Sequence, residues 1–173
     1  PGRIPEQSVL LVGCRFGDNV GQTDMITKVA CWEVECDVDK TSALYAEFEG
    51  PSCRCGYCRN FWAAMDSAFP QDFKLLASRL GMDVAKPTEV WQYNKEPSGL
   101  HYYGGLFHFV GKIVFDPRKP STPGSPTEFE RLVSGFELTV GEKGFLIPEC
   151  FKGQQLVHLD FATHVPWVLD EPD

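Results

Sequence analysis

One stretch near the middle of the chain, residues 100–115, constrains the fold most, because it is apolar on both sides of a strand. Alternate residues of a strand point to opposite faces of its sheet. Here both faces carry mostly aromatic or aliphatic side chains, with Tyr103, Phe107, Phe109 and Ile113 on one and Tyr102, Leu106, His108 and Val110 on the other. Such a strand has to be covered on both faces and therefore lies centrally in a sheet. The pair Gly104–Gly105 inside it predicts a β-bulge or the close approach of another backbone.

Further strands are predicted from the same alternation. Across residues 28–38, Trp32, Val34 and Cys36 share one face while charged residues occupy the other, which is typical of a strand with one wet face. Residues 88–94 and 100–115 flank a short loop at 95–99, a pattern that predicts a hairpin. The remaining strand candidates are the segments 132–140, 145–148 and 155–165, and the segment 8–16 is either a strand or an arm covering the core.

Helical spacing of apolar residues occurs only between residues 40 and 80. It predicts helices over 41–49, 59–69 and 71–80, punctuated by Gly50–Pro51, Pro70 and Gly81. The fold class is therefore α+β: a single domain over residues 1–173, with an antiparallel sheet that includes residues 29–38, 88–94 and 100–115 and two or three helices inserted between strands. Residues 117–127 contain four prolines and predict a long surface loop.

Composition excludes some functions and favours one compartment. The chain has 173 residues, 43% of them hydrophobic, and a net charge of −8, which gives a nucleic-acid role no electrostatic support. No apolar stretch is long enough for a membrane span. Because no signal peptide is recognisable, the expected compartment is the cytoplasm. An odd number of cysteines, seven, does not fit the paired framework of a small secreted domain.

The strongest chemical signal is the cysteine loop formed by Cys53, Cys55 and Cys58. Thiolates this crowded repel one another unless a soft metal neutralises them or oxidation pairs two of them. The spacing of Cys55 and Cys58 lets both sulfurs reach one zinc ion, and Cys53 can supply a third ligand. A fourth ligand has to come from elsewhere in the fold. Cys36 is the first candidate, because its face should be covered by the next helix; Cys31 points the opposite way.

Other interpretations of this loop stay open. At most one of His101 and His108 can join a metal site, because they lie on opposite faces of their strand. The tetrapeptide Cys55-Gly-Tyr-Cys58 resembles the active-site motif of thioredoxin- and glutaredoxin-like proteins, although that family places it after a strand and here a helix precedes it. The three thiols can also simply pack or remain reduced at the surface.

A second constellation lies on residues 155–165, where His158, Asp160 and His164 share a face. They can bind a metal or support base catalysis, but alternating polar residues are more often the wet face of an edge strand. No nucleophile elbow, phosphate-binding loop or zinc-protease helix is present.

The leading hypothesis is a cytosolic module that binds a small molecule or protein and whose cysteine loop holds structural zinc. The alternative is a thiol- or metal-dependent enzyme, redox or hydrolytic, that uses the same loop.

Two longer strings resemble a family of uncharacterised bacterial proteins. The first runs from residue 28 to residue 40 and continues in the cysteine loop with Arg59-Asn60-Phe61; the second is Gly-Leu-His-Tyr-Tyr-Gly-Gly-Leu-Phe-His-Phe at residues 99–109. The resemblance covers residues 28–115. It implies a cytosolic bacterial protein and brings no activity with it.

Overall fold

The computed structural model describes residues 25–118, 129–142 and 144–173. Within them the strands are β1 (Met25–Val29), β2 (Trp32–Cys36), β3 (Glu89–Lys95), β4 (His101–Phe115), β5 (Glu130–Val133), β6 (Phe136–Gly141) and β7 (Leu156–Val165). The helices are α1 (Val38–Glu47), α2 (Gly56–Ala63), α3 (Met65–Ala68) and α4 (Gln71–Arg79), and a 3-10 turn occupies Glu149–Phe151. The predicted strand at 8–16 and most of the proline-rich loop at 117–127 lie outside the described residues.

All described strands join one antiparallel sheet, which confirms the predicted α+β class. The strand order is β1-β2-β4-β7-β6-β5. One edge of the long strand β4 pairs with two strands: β3 pairs with its first half and β2 with its second half. As predicted, β4 is the central strand. No helix in the described part of the chain has the length and apolar character needed to cross a membrane.

The region predicted as one strand at 28–38 is a hairpin. The chain turns at Ala30 and Cys31, so β1 runs back along β2 with Val29 opposite Trp32. Ala30 adopts a left-handed φ of 50°, which is uncommon for a residue with a side chain. The turn contains no glycine, asparagine or proline, and this is why the sequence pattern did not reveal it.

Side chains of α2 and α4 pack on one face of the sheet, whereas α1 hydrogen-bonds to the backbone of β4 through Thr41 and Tyr45. Asp37 begins α1 by accepting a hydrogen bond from the Lys40 backbone N–H at 3.0 Å, so the helix starts three residues before the prediction. The predicted helix at 59–69 is two helices, α2 and α3, separated at Ala64. The predicted helix at 71–80 is confirmed as α4.

An aromatic core joins the helices to the sheet. Phe61, Phe69 and Phe73 from the helical region pack against fully or almost fully buried phenylalanines of the strands, with ring centroids 4.7 to 6.4 Å apart: Phe107, Phe136 and Phe161. Edge-to-face and offset pairs at these distances stabilise beyond the burial of their area, by about 0.5–1.5 kcal/mol each. Through Phe61, this core holds α2, the helix that begins at the cysteine loop, against the sheet.

Gly104 and Gly105 do not form a bulge, because β4 keeps continuous register with β7 from His101 to Val110. The alternative prediction, a close backbone approach, is confirmed: a Cβ on Gly105 would lie 2.6 Å from the Glu89 carbonyl oxygen. The register shift is instead in β3, between Gln92 and Asn94. The segment 145–148 forms no strand.

Candidate metal site

The cysteine loop connects α1 to α2. After α1 ends, Gly50 takes a φ of +85°, which glycine adopts without strain, and Pro51 prevents the helix from continuing. Cys55 has extended backbone and is the N-cap residue of α2, whereas Cys58 lies inside the first turn of that helix. The turn of α2 therefore brings Cys58 back beside Cys55, and the incoming loop places Cys53 next to both.

Side-chain sulfurs of Cys53, Cys55 and Cys58 all lie within 4.8 Å of one another. Three sulfurs bound to one tetrahedral zinc at about 2.3 Å would stand about 3.8 Å apart, so small side-chain rotations suffice to bind an ion. Cys53 and Cys55 are exposed, whereas Cys58 is 7% exposed. The loop thus forms a shallow site with a buried inner ligand and two outer ligands.

The two ends of the Cys55–Cys58 pair differ electrostatically. The backbone N–H of Cys58 lies where it favours the Cys55 thiolate and lowers the pKa of that thiol, with further contributions from the Cys58 and Cys53 side chains. Burial raises the pKa of Cys58, and its two cysteine neighbours raise it further. A cation bound between them would add to the effect at Cys55 and offset the one at Cys58, because it stabilises every thiolate it contacts and so lowers the pKa of both thiols.

The structure does not bring the fourth predicted ligand to this group. Cys36 is fully buried under α1 and α4, with its sulfur 3.4 Å from the Leu80 carbonyl oxygen and 3.9 Å from the Thr41 hydroxyl. Its face of β2 is covered by helices as predicted, but the covering helices are α1 and α4, whereas the cysteine loop leads into α2. Cys31 lies in the turn between β1 and β2 and is likewise outside the group.

Neither histidine of β4 belongs to the group either. His101 is 1% exposed, and its Nε2 lies 2.9 Å from Asp173 Oδ2 while its Nδ1 lies 3.4 Å from the Gln92 amide. His108 faces the opposite side of the sheet, with its Nδ1 3.0 Å from the Thr88 hydroxyl. Among the described residues, the three loop cysteines are the only group of three or more Cys, His, Asp or Glu side chains whose ligand atoms lie this close together.

The C-terminal segment 166–173 packs beside the start of α2, a contact that no sequence pattern predicted. Buried Asn60 accepts a hydrogen bond from the Val168 N–H at 2.7 Å and donates one to the Pro166 carbonyl oxygen at 3.0 Å. Trp167 lies across Gly56, and Glu171 forms an ion pair with Arg59. The one available signal was Asn60 itself, an amide beside aromatic residues on a short amphipathic helix.

The second predicted constellation is more buried than expected. β7 lies between β4 and β6 and is not an edge strand, so His158 is only 8% exposed. It faces His108 directly across the strand pair, and its Nε2 lies 3.8 Å from Asp160 Oδ2. Burial raises the pKa of Asp160 to about 6 and lowers that of His108 to about 4. His164, by contrast, is exposed. The prediction of an edge strand was wrong because alternation does not show whether a sheet continues on both sides.

No protein-family model matches this chain, and no curated protein or solved structure matches it either. The resemblance to a bacterial family described above stays a prediction. Similarity therefore assigns neither a family nor a function to this chain.

Proposed function

We propose that this protein is a zinc-binding module whose cysteine loop holds the ion through Cys53, Cys55 and Cys58. The observation that carries the proposal is the convergence of these three sulfurs within 4.8 Å. Zinc prefers thiolate ligands, and thiolates this close require a cation to offset their repulsion.

The proposed role of the ion is to fix the loop between α1 and α2. The segment from Gly50 to Cys55 contains no regular secondary structure. An ion bound to Cys53 in the loop and to Cys58 in α2 would tie the two together, so part of the binding free energy would be folding free energy. The module would present this ordered loop to a small molecule or protein partner, and a cytoplasmic location remains its expected setting.

Elemental analysis of protein purified without added metal tests the proposal. About one equivalent of zinc is expected, and Cys55→Ser and Cys58→Ser should each lose it and lower the melting temperature. Cys36→Ala and Cys150→Ala are matched controls, because both sulfurs lie outside the group; they should keep the metal. Metal-free wild-type protein whose melting temperature does not respond to chelator or to added zinc would refute the proposal.

A thiol-dependent redox activity is the second candidate, and one observation favours it. Cys55 is exposed at the start of α2, and Cys58 is buried one turn further, close enough for a disulfide after a side-chain rotation. The Cys55 thiolate would attack a substrate disulfide and release one thiolate. Cys58, once deprotonated, would then displace the second thiolate and leave a Cys55–Cys58 disulfide, which a dithiol reductant converts back to two thiols while itself becoming a disulfide.

Alkylation distinguishes the two candidates. If the loop holds zinc, iodoacetamide should modify Cys53 and Cys55 slowly, and chelator should accelerate the reaction by at least tenfold. If the loop is a redox site, Cys55 should react fast without chelator. Mild oxidation should then give a Cys55–Cys58 disulfide whose mass a reductant reverses.

A further inference from the structure

The first two turns of α2 carry two sets of contacts at once. Cys55 and Cys58 supply two of the three converging sulfurs, and Asn60 lies two residues further along the same helix, bound to segment 166–173. A helix of eight residues has little stability of its own, so the position of its first turn depends on the groups that pack against it. That position matters for the metal site, because sulfurs that lie within 4.8 Å of one another have to meet one zinc ion at about 2.3 Å each.

Trp167 contacts the part of α2 that joins the two cysteines. Its indole ring lies 3.6 Å from the position that a Cβ on Gly56 would occupy, and it meets the Tyr57 ring edge to face at 6.0 Å between centroids. Gly56 and Tyr57 are the two residues between Cys55 and Cys58. The indole therefore packs directly on the turn whose shape sets the separation of the two sulfurs.

Asn60 holds the segment in this position. Its side chain is fully buried, accepts a hydrogen bond from the Val168 N–H at 2.7 Å and donates one to the Pro166 carbonyl oxygen at 3.0 Å. Trp167 lies between these two residues, so the two bonds also fix its indole against the turn. The segment folds back on itself through a 2.7 Å hydrogen bond from Trp167 Nε1 to the Glu171 carbonyl oxygen, which places Glu171 beside α2 as well.

Charge links the segment to the cysteines a second time. Glu171 pairs with Arg59, the residue after Cys58, and the hydrogen bond and ion pair with this carboxylate are the largest causes that raise the pKa of Arg59. The charge of the Cys55 thiolate raises it further, so the guanidinium interacts with both groups. Zinc with three thiolates carries one excess negative charge, and Glu171 keeps a cationic side chain beside that charge.

We propose, on the basis of the zinc function proposed above, that segment 166–173 positions the metal site and thereby sets its affinity for the ion. Docked on α2, the segment holds the turn from Cys55 to Cys58 in the shape that binds the ion, and Asn60 and Trp167 are positioning residues. Metal binding and docking share this one helix, so each strengthens the other by the same factor. Release of the metal loosens the segment, which makes residues 166–173 the part of the surface that responds to the state of the cysteines.

Titration of the reduced protein with Co²⁺ tests the effect of docking on metal binding, because the visible absorption of Co²⁺ reports both its affinity and its ligands. Asn60→Ala and Trp167→Ala should each bind Co²⁺ at least fivefold more weakly than the wild type. Trp167 is only half-buried, so its variant tests the segment without opening a cavity in the core. At saturation both spectra should match that of the wild type, because the segment positions the ligands and supplies none. Asn94→Ala is the control: Asn94 is exposed on β3 and bonds Glu96, so its replacement should leave the affinity unchanged.

Hydrogen exchange at the Val168 amide tests the reciprocal effect of the metal on docking. Co²⁺ should slow this exchange in the wild type at least fivefold, and the factor should agree within about twofold with the loss of Co²⁺ affinity in Asn60→Ala. A segment with a merely structural role would not show this response. The Arg118 amide bonds to Asp116 Oδ1 beyond the far end of β4, so it should exchange at the same rate with and without metal.

The possible outcomes separate this proposal from the zinc function on which it depends. A wild-type protein that binds neither Co²⁺ nor Zn²⁺ would refute the zinc function itself. Bound Co²⁺, with unchanged affinity in both variants and a Val168 exchange rate that ignores the metal, would refute only the positioning role. Equal slowing at Val168 and Arg118 would also overturn that role, because the metal would then stabilise the whole domain. A variant spectrum that differs at saturation would overturn it as well, since the segment would then supply a ligand.

Discussion

Replacing Asn60 by alanine should detach the C-terminal segment from α2. Asn60 is fully buried and makes two good hydrogen bonds to that segment, at 2.7 Å from the Val168 N–H and 3.0 Å to the Pro166 carbonyl oxygen. Its third contact, to the Tyr103 hydroxyl at 3.4 Å, is long and contributes little.

The expected loss of unfolding free energy is about 2 kcal/mol. Each intramolecular hydrogen bond contributes about 0.5–1.5 kcal/mol net. The freed backbone groups lie in an exposed segment, where Val168 is 47% exposed, so water replaces Asn60 and the full desolvation penalty does not apply. A small cavity at the buried end of the side chain adds to the loss.

Urea denaturation measures the global effect, and hydrogen exchange at the Val168 amide measures the local one. A loss of about 2 kcal/mol corresponds to roughly a thirtyfold change in an equilibrium constant. The hydrogen-exchange protection factor of the Val168 amide should therefore fall at least tenfold. Asn94→Ala is the matched control: Asn94 is exposed and makes one side-chain hydrogen bond, to Glu96, so its loss should stay within about 0.5 kcal/mol. Equal losses for the two variants would refute the role assigned to Asn60.

Two further predictions concern the sheet. Gly111→Ala should destabilise the protein by about 2 kcal/mol or more in thermal unfolding, because the new Cβ would collide with the backbone carbonyl of Glu35 on β2. Gly56→Ala is the control: its Cβ meets only ordinary contacts at 3.6 Å, so the substitution should be neutral or slightly stabilising. A larger loss of stability in Gly56→Ala than in Gly111→Ala would contradict the prediction. Because burial raises the pKa of Asp160 from its ordinary 3.8 to about 6, ionisation of this carboxyl costs stability as pH rises through that window. The free energy of unfolding of Asp160→Asn, measured by chemical denaturation, should therefore exceed that of the wild type by about 1–2 kcal/mol at pH 7.5, after allowance for partial exposure. The difference should shrink at pH 4. A difference independent of pH would refute the raised pKa assigned to Asp160.

The sequence by itself determined the features that depend on local periodicity. Alternation over residues 100–115 identified β4 as the central strand, and helical spacing located α1 and α4, because both signals arise from which face of an element is buried. The cysteine loop was also readable, since Cys53, Cys55 and Cys58 are so close in the chain that a loop entering a helix brings them together. A local motif needs no long-range pairing to form.

Only the tertiary structure decided how these elements meet. Cys36 lies on a helix-covered face, as the alternation of its strand predicted. The residues that contact its side chain depend on where α4 lies in the fold, and the strand pattern does not predict that position. The central place of β7 and the contact of residues 166–173 with Asn60 likewise depend on residues far apart in the chain. Such contacts form because they satisfy buried polar groups and apolar faces of the whole domain at once, and no single segment carries that information.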